Sequence, residues 1–211
     1  MSVWDKRAEA YRQSPEHREG WDLDLIVEWA GGARTALDVA TGGGHVARRL
    51  RQEGVEVVTA DPSPGMEPDV VCPAEDLPFA DGSFEAVTCR LAAHHFQNVE
   101  AGIAEMARVA SDLVLVVDNL RMGERDEEAS RLRDPSHVRN YSADEWHALY
   151  AGAGLTLEDS RVAERWISFE PWLERTATGG EEAARIRELL TDRIADGKLR
   201  LDRIALKGRK V

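Results

Sequence analysis

The residues of this 211-residue chain that could do chemistry gather around one glycine-rich turn. LDVATGGGHVARRL (37–50) places Asp38 inside a short apolar run, then Gly42, Gly43 and Gly44 in a turn, then helical apolar spacing. A strand, a glycine turn and a helix in that order bind a nucleotide-like ligand at the carboxyl end of a sheet. Glycine is needed there because the loop turns tightly and the ligand approaches the backbone with no Cβ in the way. The next apolar run, VEVVTA (55–60), ends at Asp61, nineteen residues after Gly42. From that position a carboxylate accepts hydrogen bonds from both ribose hydroxyls. Gly42, Gly44 and Ala47 also satisfy the dinucleotide fingerprint, but Asp38 would repel a pyrophosphate.

A cationic ligand would instead favour that carboxylate. S-adenosylmethionine carries a sulfonium and an ammonium and no phosphate. If the nucleophile that receives its methyl group bears a proton, a base assists the transfer. His94 and His95, after a fourth apolar run, and His137, in a later loop, are the candidate bases; each has a structural, hydrogen-bonded alternative. His17, His45 and His147 read as helix residues without a chemical role, although His45 lies against the glycine loop. Trp166, Phe169 and Trp172 recur every three residues and are either a core-facing stripe or an apolar lid over a hydrophobic or aromatic acceptor. Trp4 and Tyr11 could close the pocket from the other side.

The elements that must position these residues alternate between strand and helix. Helices are expected around 4–13 and 16–30, the second with Ser14 as N-cap, Pro15 at its first position and Gly31-Gly32 after it. Strands follow at TALDVA (35–40), VEVVTA, FEAVTC (84–89) and DLVLVVD (112–118), with a helix over 98–110. SADEWHALYAGAG (142–154) opens with a capping box, Ser142 and Glu145. LTLEDSRVAE and LDRIALKGRKV read as strands, with a helix near 181–196 between them. The charged run ERDEEASRLR reads as a solvated face. Alternation of this kind implies an α/β fold, a mainly parallel sheet with helices on both faces.

Composition narrows the classes. The chain is 43% hydrophobic and 31% charged, as globular proteins are. A net charge of −12 argues against a nucleic-acid partner. No apolar run is long enough to span a bilayer and the first residues lack a signal-peptide core, so a cytoplasmic protein with no membrane partner is expected. Cys72 and Cys89 are too few and too far apart for a metal knuckle and read as buried thiols, so no metal site is expected.

LDVATGGGHVARRL, VVTADPSPGM and AEDLPFADGSFEAVTCRLAAHHFQN together resemble the class I S-adenosylmethionine-dependent methyltransferases, in the type-11 subgroup typified by the ubiquinone/menaquinone-biosynthesis C-methyltransferases. The similarity runs over about residues 30–120, and DPSHVRNYSADEW (134–146) resembles a segment that follows the fifth strand in that family. The resemblance implies a Rossmann-like three-layer sandwich whose last strand is antiparallel. It implies a single domain over 1–211: N-terminal helices (1–30), a cofactor-binding half (31–120) and a substrate half (121–211) with an aromatic cap over 165–196. It further implies that Asp38, Ala40, Thr41, Gly42 and Gly44 surround the methionine part of the cofactor, that Asp61 holds the ribose with Pro62 or Ser63 beside the adenine, that Ala74 and Glu75 flank the adenine's far edge, and that Arg90 and Leu91 lie near the sulfonium. Two residues depart from the family pattern: Ala40 stands at a frequent glycine, and Pro73 replaces an Asp that would accept from the adenine amino group.

The expected reaction is C-, O- or N-methylation of a small molecule. The alternatives are a methyltransferase-fold protein that binds cofactor weakly or not at all and acts through protein contacts, and an NAD(P)-dependent oxidoreductase, disfavoured by Asp38 and by the DLPF and HHF segments. Between Asp61 and DVVC (69–72) only PSPGMEP intervenes, where a parallel crossover normally takes a dozen or more residues. Seven extended residues span roughly 22 Å, enough to return beside a very short strand. The sequence therefore predicts no helix of more than one turn over 62–76, a third strand short or absent, and a bared sheet face covered by the N-terminal helices or by another subunit, as in a homodimer.

Overall fold

A computed structural model describes residues 3–210, with side chains from Ala8 onward. Three helices lead: α1 (Val3–Gln13), α2 (Pro15–Arg18) and α3 (Trp21–Trp29). The core follows as β1 (Thr35–Val39), α4 (His45–Gln52), β2 (Glu56–Asp61), β3 (Val70–Val71), β4 (Phe84–Arg90), α5 (Val99–Val109) and β5 (Ala110–Asn119). The remainder is α6 (Glu124–Arg133), α7 (Ala143–Gly152), β6 (Leu155–Ser168), α8 (Phe169–Glu174), α9 (Gly180–Leu189), β7 (Ile194–Ala195) and β8 (Lys198–Lys210).

The strands form one sheet in the order β3-β2-β1-β4-β5-β8-β6, with β7 paired to β8. The first five are parallel, and β8 is antiparallel to both β5 and β6. Period-2 alternation along buried strands builds the three layers. Leu37, Val39, Val87, Cys89, Val114 and Val116 pack with α5 and α7 on one face. Ala36, Ala86, Leu113, Leu115 and Val117 pack with α3 and α4 on the other. β1 pairs with β2 on one side and β4 on the other, so chain order reverses there and leaves a crevice at the carboxyl ends of those strands.

The short link after Asp61 holds as the sequence predicts. Between β2 and the two-residue β3 lies only a single 3-10 turn, Pro64–Met66. Asp69 makes the shortcut possible. Its Oδ2 accepts from Thr59 N at 2.9 Å and from Thr59 Oγ1 at 2.8 Å, satisfying a β2 donor that a longer β3 would have paired. Helix α1 lies against the turn, where Arg12 Nη1 donates to Gly65 O at 3.1 Å. Trp4 falls outside the described side chains.

Several local expectations are corrected. The helix expected over 16–30 is two pieces, because Gly20 (φ 142) breaks it. A Cβ on Gly20 would stand 2.5 Å from Asp22 Oδ1, so the break needs glycine. Ser14 is not a side-chain cap; its hydroxyl meets His17 Nδ1 at 2.8 Å and Arg175 Nη1 at 2.5 Å. The helix near 181–196 stops at Leu189, where the Thr191 hydroxyl returns to Arg187 O at 2.9 Å and Glu188 O at 3.0 Å. ERDEEASRLR is not wholly a solvated face, because Glu127 and Ala129 are buried. Phe169 and Trp172 stack 5.9 Å apart in a satellite core with α6, α8, α9 and the far ends of β6 and β8, while Trp166 is 43% exposed.

The break at Gly20 sets Asp22 in the interior, 0% exposed. Arg90 Nε donates to its Oδ2 at 2.7 Å and Arg203 Nη1 to its Oδ1 at 3.2 Å, so one carboxylate ties α3 to β4 and β8. Burial pushes the Asp22 carboxyl up, but Arg203 and Arg90 outweigh it and hold it below the usual range. Asp22→Asn leaves two buried guanidinium groups without a counter-charge. It is expected to lower the unfolding free energy by about 3 kcal/mol, read as a lower urea midpoint at neutral pH; an unchanged midpoint would show the cluster to be stabilising nothing.

Candidate active site

A cleft of about 460 Å³ opens at the switch point. The glycine turn forms its near wall. Asp38, in β1, is 1% exposed; its Oδ2 accepts from Thr41 Oγ1 at 2.6 Å and Ala47 N at 3.2 Å, and its Oδ1 from Thr88 Oγ1 at 3.0 Å. The one carboxylate thus ties the turn, the start of α4 and strand β4 to each other. Burial raises its pKa to about 6, against the lowering effect of these bonds, and Asp61 nearby adds to the rise. At the rim, Asp61 Oδ2 accepts from Gly42 N at 3.0 Å and Oδ1 from Ser63 N at 2.9 Å.

The turn suits a ligand that must come close. Gly42 (φ 53) and Gly44 (φ 70) are left-handed, and a Cβ on Gly44 would meet nothing within 4 Å. Ala40 is left-handed too (φ 52), an unusual conformation for a residue with a Cβ. Leu91, immediately after β4, repeats it at φ 56.

Of the residues expected at the cofactor, Asp38, Ala40, Thr41, Gly42, Asp61, Pro62, Ala74, Glu75, Arg90 and Leu91 line the cleft. Gly44 and Ser63 do not; Gly44 begins α4, and Ser63 holds Asp61 through its backbone. Arg90 reaches the cleft, but its guanidinium is committed to Asp22 and to His17 O at 2.8 Å, so it braces the wall. Pro73 lines the rim without a side-chain acceptor or backbone donor.

The three candidate bases cluster, with ring centroids 4.1 Å (His94–His95), 5.4 Å (His94–His137) and 6.2 Å (His95–His137) apart. They do not share one environment. His95 and His137 line the cleft; His94 faces away from it, its Nδ1 2.5 Å from Asp118 Oδ1. His137 Nε2 is 3.1 Å from Glu127 Oε2. His95 Nδ1 donates to Ser136 O at 3.0 Å, which places the ring's lone pair on Nε2. Burial, and then His94, push the His95 pKa down to about 3, so the ring is neutral at physiological pH.

His17 and His45, expected to be inert, also line the cleft beside Tyr11. The His17 ring is 5.2 Å from that of Tyr11 and 6.3 Å from that of His45. Burial, then Arg175, Arg90 and Arg203, hold His17 well below its usual pKa. His45 follows the glycine turn directly, as its place in the sequence marked, whereas no spacing marks His17, which the chain break at Gly20 and the approach of α1 bring in. Trp166, Phe169 and Trp172 do not line the cleft, so the aromatic run is no lid over it.

This fold and site define an S-adenosylmethionine-dependent methyltransferase. Residues 37–114 match the family of proteins carrying a Methyltransferase domain, and the chain belongs to it. It is 33% identical to an uncharacterized methyltransferase, YcgJ, of Bacillus subtilis (strain 168), over 89% of this chain and 83% of that protein. A methyltransferase crystal structure from Bacillus halodurans C-125 superposes with a TM-score of 0.80 at 29% identity, covering 90% of this chain and 99% of that one. A demethylmenaquinone methyltransferase of Beutenbergia cavernae is 42% identical, but over only 35% of each chain.

Two predictions follow from the turn. Asp38→Asn keeps the shape and removes a desolvated charge that costs on the order of 3 kcal/mol at neutral pH. Because the folded-state pKa is raised, that cost is present above pH 6 and vanishes as pH falls toward 4. The variant is expected to unfold at higher denaturant than wild type at pH 7.5, with the difference closing by pH 4. Ala40→Gly is expected to be at least as stable as wild type, since glycine relieves the left-handed strain, whereas Ala40→Val should lose about 2 kcal/mol; equilibrium unfolding of both variants checks this.

Proposed function

We propose that the cleft binds S-adenosylmethionine through its carboxylates and a small, largely apolar acceptor beside its imidazoles. The observation that carries this reading is one cleft lined both by Asp38, Asp61 and Glu75 and by His17, His95 and His137 with Leu91, Phe96 and Val138. Asp38, Ala40, Thr41 and Gly42 would hold the methionine part, where the buried carboxylate favours a cation. Gly44 sets the backbone path of the turn. Asp61, fixed by two backbone N–H groups, would receive the ribose, with Pro62 beside the adenine and Ser63 bracing the carboxylate. Ala74 and Glu75 would flank the adenine's far edge, and Leu91 would lie near the sulfonium. Without a partner at Pro73 for the adenine amino group, affinity is lower by about 1 kcal/mol.

When bound, the cofactor supplies a methyl group already activated by its positive sulfur. The chain aligns the acceptor and keeps water out. Neutral His95 lines the cleft and would orient a protic nucleophile there. Glu127 holds His137, and Asp118 holds His94, so both are positioning residues in this reading. The acceptor is a small molecule, in keeping with the partial match to a demethylmenaquinone methyltransferase. The acidic charge of −12 disfavours nucleic acid, and a cytoplasmic setting fits the absence, among the described residues, of any helix long and apolar enough to cross a membrane.

Isothermal titration with S-adenosylmethionine, S-adenosylhomocysteine and NAD separates this reading from its rivals. Micromolar binding of the first two without NAD is expected; no binding by any of them would leave only a role through protein contacts. Asp61→Ala removes charge-assisted hydrogen bonds worth about 1.5–3 kcal/mol each, so S-adenosylhomocysteine affinity should fall on the order of 100-fold.

A further inference from the structure

Behind the cleft lies a second, smaller chamber of about 50 Å³, and His95 and His137 line both spaces. Its polarity is one-sided. Asn140 is 6% exposed, and its Nδ2 donates to Glu127 Oε1 at 2.8 Å. The carboxylate demands a donor, so the amide cannot be reversed and Asn140 Oδ1 faces away from it. That Oδ1 is buried and has no hydrogen-bond partner, and Asn119, at the end of β5, adds a second buried, unpartnered Oδ1 to the same chamber. His94 also lines the chamber, its Nδ1 held 2.5 Å from Asp118 Oδ1.

The cation on this wall is already engaged. Arg133 Nε donates to Trp172 O at 3.0 Å, and its guanidinium stacks 4.4 Å over the Trp172 ring. A buried acceptor without a donor costs about 1–3 kcal/mol, and two amide oxygens of the lining residues bear that cost. The chamber is matched to a donor. An anion would meet acceptors on several sides.

We propose that this chamber receives the hydrogen-bond-donating end of the methyl acceptor, an alcohol, phenol or amine, while the acceptor's apolar body stays in the cleft. The proposal rests on reading the cleft as the methyl-transfer site. The volume suits one such terminal group, given that a water occupies about 30 Å³ of liquid. The two spaces meet at the wall formed by His95 and His137, whose ring centroids stand 6.2 Å apart. Asn140 and Asn119 are then specificity residues: they select acceptors by what the far end donates.

The test follows the Asn140 side-chain amide and the His94 ring nitrogens by NMR of the ¹⁵N-labelled full chain. Phenol, benzylamine, benzoate and toluene are titrated separately, with and without S-adenosylhomocysteine. Phenol and benzylamine are expected to shift both sets of signals and to saturate; benzoate and toluene are expected to leave them in place. Asn140→Leu should weaken phenol and benzylamine by about ten-fold while S-adenosylhomocysteine still binds. Asn119→Leu, which leaves the Asn140–Glu127 hydrogen bond intact if the Asn140 variant does not fold, should weaken the same two probes. Equal shifts with benzoate or toluene overturn the proposal. So does the absence of any shift, which would make the chamber a seat for water only. A chain that binds S-adenosylhomocysteine but none of the probes refutes the chamber alone; one that binds no S-adenosylhomocysteine refutes the reading of the cleft.

Discussion

The structure turns on one buried carboxylate, that of Asp38. Strands β2 and β4 flank β1 and exclude water from it, and its partners are two hydroxyls and one backbone N–H, all neutral. Asp22, equally buried, faces two guanidinium groups. The same desolvation therefore has opposite outcomes: Asp22 is held below the usual carboxylate range, while Asp38 is pushed to about 6. Asp22 is electrically finished and serves the fold. Asp38 is hydrogen-bonded, but no cationic side chain among the described residues balances its charge.

That difference organises the cleft. The turn must bring Thr41 and Ala47 N onto a single carboxylate, and it does so by taking Ala40, Gly42 and Gly44 through left-handed conformations. His17 lines the same cleft, and there burial, then Arg175, Arg90 and Arg203, hold the imidazole well below its usual pKa.

What was legible in the sequence were features carried by local pattern. Period-2 apolar runs gave the strands, the glycine turn and Asp61 gave part of the cleft lining, and Ser142 with Glu145 gave the start of α7 with a capping box present. What was hidden depends on which segments meet. His17 read as an ordinary helix residue because its place in the cleft follows from the break at Gly20 and the approach of Tyr11, while His45, already legible against the glycine turn, was not given a place in the cleft. Arg90 read as a residue near the cofactor because its buried partner, Asp22, lies 68 positions away. Glu127 sat in a run of charges with no periodicity to mark it as the anchor of His137 and Asn140. The aromatic run had the spacing of a lid and instead fills the satellite core, since the strand pair β6–β8 extends past the sheet and needs its own hydrophobic support.

The missing helix after β2 also bears on how copies of this chain meet one another. An open sheet has two edges, and an unpaired edge is a template for another strand. Here one edge, β3, is only two residues long, with Asp69 closing the donor beside it. The other, β6, is long but studded with charge: Glu158, Asp159, Arg161, Glu164 and Arg165 lie along its fourteen residues. One edge is too short to propagate a ladder and the other is too charged to invite one. The shortcut PSPGMEP thus does more than save a helix: it blunts the edge at which it lies, so that association between copies, where it occurs, must use helix faces rather than a continued sheet.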